Sequence, residues 1–230
     1  MLGFIKNLVG GLALISFTVV GGIANSASCP KSGGILKYGV KAEPPTYDMH
    51  GTNSYAVMHF VAQHYSTLLT FDWNKFPKLE GDVADSWNVS SDGLTYTFKI
   101  KKGIKFHDGT PLTSKDVKAT YDRLSNPPEG VISVRKALFS SISGITTPDD
   151  NTVVFKLSSP DAFMLDGFAS PFNAIYSAKD IAKDPKWHLK NINGTGPYKF
   201  VAHKKGESWK AEKFADFHHG DNCLDGTESF

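Results

Sequence analysis

The chain has 230 residues, 40% of them hydrophobic and 12% aromatic, enough apolar material to build a core and too much for a disordered segment. Lys and Arg together number 25 against 23 Asp and Glu, a formal charge of +2. So small an excess leaves no basic stripe for nucleic acid, and most charges read as ordinary solvated surface.

The N-terminus is of another kind. Lys6 and the terminal amine form a short positive region, Leu8 to Ala24 is apolar or small apart from Ser16 and Thr18, and small residues follow at Ala24, Ser26, Ala27 and Ser28. That order is the pattern of an export signal over residues 1–28. A membrane anchor is the alternative, but the Gly-rich run is shorter than the roughly 20 residues a bilayer span needs. Cys29 and Cys223 are the two cysteines, too few for a disulfide framework or a paired CxxC metal site. Cys29 stands where an exported lipoprotein carries its lipid, which would attach the chain to a membrane. Ser26 occupies the place three residues earlier where such proteins usually have an apolar residue. A disulfide between Cys29 and Cys223 is equally permitted in an oxidising compartment.

Ile35 to Val40 reads as a first strand, ended by Glu43-Pro44-Pro45, which cannot continue a ladder. Asn53 can cap a helix whose apolar positions are Val57, Phe60, Val61 and Leu68. Ser86–Val89 and Leu94–Ile100 are strand-like runs about the turn Ser90-Ser91-Asp92-Gly93. In the second run Leu94, Tyr96, Phe98 and Ile100 alternate with polar residues, so one face is apolar and the other solvated. Thr113 and Asp116 predict a capping box for a helix with the stripe Val117, Tyr121 and Leu124, stopped by Asn126-Pro127-Pro128. A second hairpin is expected from Ile142–Thr146 and Thr152–Leu157, then a short strand at Asn173–Tyr176 and a brief helix opened by Ser177 and Asp180. Two last strands follow near Tyr198–Ala202 and Ser208–Glu212. Strands and helices mix without strict alternation, which predicts an α+β or mixed α/β fold.

Three consecutive pieces form one extended pattern: Asp82-Val83-Ala84-Asp85-Ser86-Trp87, Asp92-Gly93-Leu94-Thr95-Tyr96-Thr97-Phe98, and Gly103-Ile104-Lys105-Phe106-His107-Asp108-Gly109-Thr110-Pro111. With Glu43-Pro44-Pro45-Thr46-Tyr47-Asp48, Tyr121 to Pro127 and Asn193-Gly194-Thr195-Gly196-Pro197-Tyr198, the chain resembles the extracellular solute-binding proteins of ABC importers, family 5, the peptide, dipeptide and nickel-binding group. The likeness runs from about Gly33 to Gly226. It implies a periplasmic-binding-protein-like type II fold, in which two lobes enclose a solute and an added subdomain flanks the first lobe. On that pattern residues 33–46 begin lobe one, 47–186 form the added subdomain and 187–230 return to lobe one before crossing to lobe two. Family members are usually more than twice this length, so a truncated member with the second lobe missing is expected. The implied role is periplasmic capture of a peptide or other small solute for delivery to ABC transporter permease subunits, with no enzymatic step. Phe217 to Leu224 departs from the family pattern.

Glu43 is the first candidate for solute contact, because it follows the first strand, where clefts collect binding loops. Pro44, Tyr47, Gly196 and Tyr198 complete the candidate ligand-binding set. His107-Asp108 is better explained as turn chemistry than as a catalytic pair. The eight histidines show no carboxylate or Cys cluster at ligand spacing, so neither a metal site nor a cofactor is expected. No nucleophile elbow, His-Glu-x-x-His or phosphate loop occurs, and no catalytic residue is assigned. A secreted hydrolase and a noncatalytic adhesion module are the alternative classes.

Overall fold

A computed structural model describes Cys29, residues 31–220 and residues 222–230. The expected export signal at 1–28 lies outside the described residues. Three sheets and four α-helices are present among them, each sheet set by the polarity of its strands.

The first sheet has the order β1 (Ile35–Tyr38), β10 (Gly226–Ser229), β9 (Ser208–Lys213), β8 (Tyr198–Lys204). β1 and β10 run parallel with Ile35 opposite Gly226, and the other pairs are antiparallel. Residues 226–229 are a strand in this sheet, between β1 and β9. Gly226 makes that placement possible, since a Cβ there would lie 2.2 Å from the Ala211 carbonyl. Helix α1 (Tyr55–Val61) packs Val57, Phe60 and Val61 on this sheet against Trp209, with Met49, Tyr65, Ala174 and Tyr176 in the same core. Ser54, not Asn53, precedes the helix, because the Asn53 side chain accepts a hydrogen bond from Arg135 instead. Leu68 lies beyond the helix end, buried in the second core.

The second body is built on the antiparallel sheet β4 (Ala84–Val89), β5 (Thr95–Ile100), β7 (Thr152–Leu157), β6 (Ile142–Asp149). Tyr96, Phe98 and Ile100 point inward, as their alternation predicts. Helix α2 (Ser114–Ser125) covers that face with Val117, Tyr121 and Leu124. Its predicted capping box is formed, the Thr113 N–H donating to Asp116 Oδ2 at 2.7 Å. Phe98, Tyr121, Phe139, Phe155 and Phe168 meet edge to face around the centre of this core. Such pairs add to simple area burial. Phe168 comes from α3 (Met164–Ala169), which the sequence patterns did not reveal. The small hairpin of β2 (Leu69–Phe71) and β3 (Leu79–Gly81) was likewise not foreseen.

Asn173–Tyr176 is not a strand. Residues 171–173 form a 3-10 turn, and the next residues cross between the two bodies, tied by the Ile175 N–H to the Ser66 carbonyl at 2.9 Å. A short helix, α4 (Ala178–Lys183), opens at Ser177 and stops at Asp184, as expected. The first core takes in residues from 49 to 65, inside the stretch 47–186 that the family likeness assigned to the added subdomain. The second core is drawn from residues 68–169 and Ile175.

Cys29 and Cys223 are joined by a disulfide across a separation of 194 residues. The Cys29 sulfur is thereby consumed, so lipid attachment through that thiol is incompatible with the bonded state. The Gly33 N–H donates to the Cys223 carbonyl, and Asp225 clasps Gly34 through both its side chain and its backbone. Among the described residues no helix is long and apolar enough to cross a membrane. Closing so long a loop restricts the unfolded chain, so Cys29→Ser with Cys223→Ser should cost roughly 2–5 kcal/mol of unfolding free energy. Urea denaturation reads this directly; unchanged stability would mean that strand pairing alone holds the ends.

Candidate functional site

The segment after β1 descends past Glu43-Pro44-Pro45-Thr46-Tyr47, and prolines at two successive positions hold it extended. It faces the β8–β9 hairpin. Glu43 Oε1 accepts the Gly206 N–H at 2.9 Å, and Oε2 lies 2.7 Å from His203 Nε2. His203 Nδ1 lies 2.8 Å from the Tyr47 hydroxyl. With Glu43 ionised, the consistent tautomer has Nε2–H donating to the carboxylate and the Tyr47 hydroxyl donating to Nδ1. The Gly206 N–H, helped by His203 and Lys205, holds the Glu43 carboxyl below its ordinary range despite the opposing effect of burial.

His203 was not singled out by sequence. A bulge between Phe200 and Ala202 lets His203 pair with Trp209, so it shares the inner face with Phe200 and not the outer one that simple alternation predicts. Its ring sits 5.0 Å from Trp209 and 5.9 Å from Tyr47. Glu43, Pro44 and Tyr47 then line an open groove of about 730 Å³ with Leu189, Lys190 and Lys205. Three of the five expected ligand residues therefore meet in one place. The carboxylate–imidazole–hydroxyl order superficially resembles a nucleophile relay. Burial raises the Tyr47 hydroxyl above its ordinary value, however, so the arrangement keeps that oxygen protonated and does not activate it.

Gly196 and Tyr198 belong elsewhere, at the junction of the two bodies. The Gly196 N–H donates to the His64 carbonyl at 3.0 Å, and its own carbonyl accepts from His107 Nε2 at 3.0 Å. A Cβ on Gly196 would lie 2.5 Å from the Tyr65 nitrogen, and one on Gly194 would lie 1.9 Å from the His64 carbonyl oxygen. The Tyr198 carbonyl accepts from His64 Nδ1 at 2.7 Å, while His64 Nε2 accepts from Trp209 Nε1 at 3.1 Å. His107 thus reaches Gly196, whereas Asp108 turns away to Thr110 at 2.6 Å. The two side chains point apart, as turn chemistry predicts. The close backbone approach explains the Gly-x-Gly spacing in physical terms.

Beneath the groove lies a polar network that no local pattern announced. Arg123 of α2 pairs with Asp48 at 2.6 Å, their side chains only 1% and 3% exposed. Tyr176 donates its hydroxyl to Asp48 Oδ1, Arg123 donates to His50 Nδ1, and His50 Nε2 donates to the Ala174 carbonyl. The Tyr176 ring stacks between His50 at 4.0 Å and His188 at 3.7 Å. Burial alone would raise the Asp48 carboxyl, but His50 and then Arg123, through charge and hydrogen bonds, reverse this and hold it low. Burial lowers His50 to about 4, His64 to about 3 and His107 to about 4, and takes His188 well below its ordinary value.

Residues 78–227 match the family model described as bacterial extracellular solute-binding proteins, family 5, middle region. A Brucella ovis protein named as an ABC transporter peptide-binding protein is 35% identical, aligned over 85% of this chain and 38% of its own length. The glutathione-binding protein GsiB of Pectobacterium atrosepticum is 37% identical over 64% of this chain and 28% of its own. Among solved structures, the oligopeptide-binding protein AppA of Bacillus subtilis with a nonapeptide superposes with a TM-score of 0.79 at 28% identity, covering 87% of this chain and 40% of that one. AgaA of A. tumefaciens R10 with agropinic acid gives 0.78 at 34% identity, covering 86% and 40%. The chain thus spans between 28% and 40% of the length of these relatives.

Two outcomes follow from the junction. Gly196→Ala should cost roughly 1–3 kcal/mol or more, because backbone on the far side must move. Gly144→Ala, with nothing within 4 Å of the added carbon, should change stability by about 0.5 kcal/mol or less; urea titrations of both proteins give the comparison. The buried imidazoles stay neutral in the fold while the unfolded chain takes up protons near pH 6.5. Unfolding free energy should therefore fall as pH drops from about 6.5 toward 4, by up to about 1.4 kcal/mol per pH unit for each histidine. A flat profile across that window would show these rings titrating normally.

Proposed function

The chain belongs to family 5 of the bacterial extracellular solute-binding proteins, and on that premise we propose that it forms part of the solute-capturing component of an ABC importer. In this role it takes up a peptide or a similar small solute outside the cytoplasm and presents it to membrane permease subunits. The observation that carries the proposal is the groove around Glu43. An ionised carboxylate stands there beside Lys190 and Lys205, between apolar surfaces from Pro44, Pro45 and Leu189. Charges of both signs over an apolar floor suit a solute with an amine, a carboxylate and a hydrocarbon body, as a short peptide has.

Lobe one, on this proposal, is the first sheet with α1, and the added subdomain is the body from residue 66 to residue 175. The groove is one wall of a cleft that a second lobe closes by a hinge motion. Binding is reversible and needs no covalent step, in keeping with a Tyr47 hydroxyl held protonated. The disulfide fits an exported, oxidising location such as the periplasm. Attachment through the Cys29 sulfur forms no part of the proposal.

Nitrogen-15 NMR of the 230-residue chain with pooled di- to tetrapeptides tests it. Shifts should concentrate at Glu43, Tyr47, Leu189, Lys190 and Lys205 and report weak affinity, about millimolar, since a single wall excludes little water. Glu43→Gln should weaken the response, and the peptides should be recovered intact. Shifts confined to another face, cleavage of the peptides, or micromolar affinity for the chain alone would each overturn the assignment.

A further inference from the structure

The segment where the chain departs from the family pattern carries His218 and His219, and folding brings them to a carboxylate 136 residues away. Asp82 follows β3 at the corner leading into β4. Its Oδ2 accepts the Thr67 N–H at 2.7 Å, which fixes the orientation of the carboxylate. Its Oδ1 receives both imidazoles, His218 Nε2 at 2.9 Å and His219 Nε2 at 2.9 Å. The three ligand atoms lie within 4.8 Å of one another.

We propose that Asp82, His218 and His219 bind a divalent transition-metal ion, with Zn²⁺ the natural occupant, and that the ion staples the segment before β10 to the β3–β4 corner. Two imidazole nitrogens and one carboxylate oxygen are a donor set that Zn²⁺ takes readily. A tetrahedral ion with bonds of about 2.0–2.1 Å sets its ligand atoms about 3.3 Å apart. The two nitrogen–oxygen pairs at 2.9 Å need to open by only a fraction of an ångström, and the two nitrogens lie within 4.8 Å of each other. A neutral imidazole carries a single ring proton; when Nε2 of each ring binds the ion that proton sits on Nδ1, so no proton has to leave either ring.

Burial and access also suit an ion. His218 is 6% exposed and Asp82 13%, so those two ligands are held in place by their surroundings, while the 39% exposure of His219 leaves a route in from solvent. The His218 Nδ1 atom is buried without a hydrogen-bond partner, so hydrogen bonding within the protein does not fully account for this ring. Asp82 and His219 also line an open groove with Trp73, Pro197 and Phe217, so solvent reaches these two ligands. His59 and His64, by contrast, are not brought together: His64 is committed to Tyr198 and Trp209.

The site is independent of the solute groove, which shares none of these three residues. The test is calorimetric titration of Zn²⁺ into the untagged, disulfide-intact chain after removal of metal with EDTA, at pH 7.5. One ion per chain should bind with a Kd of about micromolar or tighter. His219→Ala, at the exposed ligand, and Asp82→Asn, which removes the charge and one acceptor oxygen at nearly the same size, should each weaken binding roughly 10-fold or more. His59→Gln should not change it. Circular dichroism verifies that each variant is folded. Co²⁺ should give visible d–d absorption with the native chain that His219→Ala loses. Absence of binding, or equal affinity in His219→Ala and the native chain, would overturn the proposal.

Discussion

The buried pair of Asp48 and Arg123 is the interaction on which the rest of the architecture leans. Asp48 closes the segment that carries Glu43 and Tyr47, while Arg123 projects from the helix that roofs the second core. Removing two charges from water costs several kcal/mol per ion, and the pair is tolerable because almost every lone pair and proton is used. Tyr176, the His50 backbone and ring, and the Pro185 carbonyl supply those partners. Loss of either member would strand a charge in the interior, a change of roughly 3–5 kcal/mol. The pair therefore fixes where the groove segment leaves β1 and which way its side chains face.

Besides that side-chain pair, the two bodies meet where backbone approaches backbone. The stretch from Asn193 to Tyr198 passes so near His64 and Tyr65 that glycine is required at 194 and 196. His64 and His107 grip its carbonyls from opposite sides. Neutral imidazoles serve here because each can donate to a carbonyl and, in the case of His64, accept from Trp209 with the other nitrogen. A charged ring could not accept, and the junction would lose a contact.

Surface polarity divides into two separate zones. The groove at Glu43 presents both charge signs to solvent over an apolar floor. The corner at Asp82 instead converges two imidazoles on one fixed carboxylate oxygen. The first arrangement spreads charge along an open surface; the second concentrates three polar groups at one point. The disulfide lies on the same stretch as the second zone, so the segment before β10 is secured by covalent chemistry beside the ion-binding corner.

Local patterns carried much of the fold. The alternation in Thr95–Ile100, the capping box at Thr113 and Asp116, the turn at Ser90 to Gly93 and the helix opened by Ser177 are decided by hydrogen bonds and side-chain periods within a few residues, so they were legible. The extended signature from Asp82 to Pro111 also disclosed the family, and with it three residues of the groove. The remaining features depend on contacts that no short window contains. His203 reaches Glu43 across 160 residues only because a bulge turns it inward, and Arg123 meets Asp48 across 75. Asn173–Tyr176 has the composition of a strand but crosses between two cores, where no partner strand is available. By itself, then, the sequence determined element type and family, because propensity and capping act locally. Tertiary structure alone decided that β10 lies beside β1, that Cys29 is bonded to Cys223, and that Asp82 faces two histidines, because each depends on distant backbone brought together by core burial.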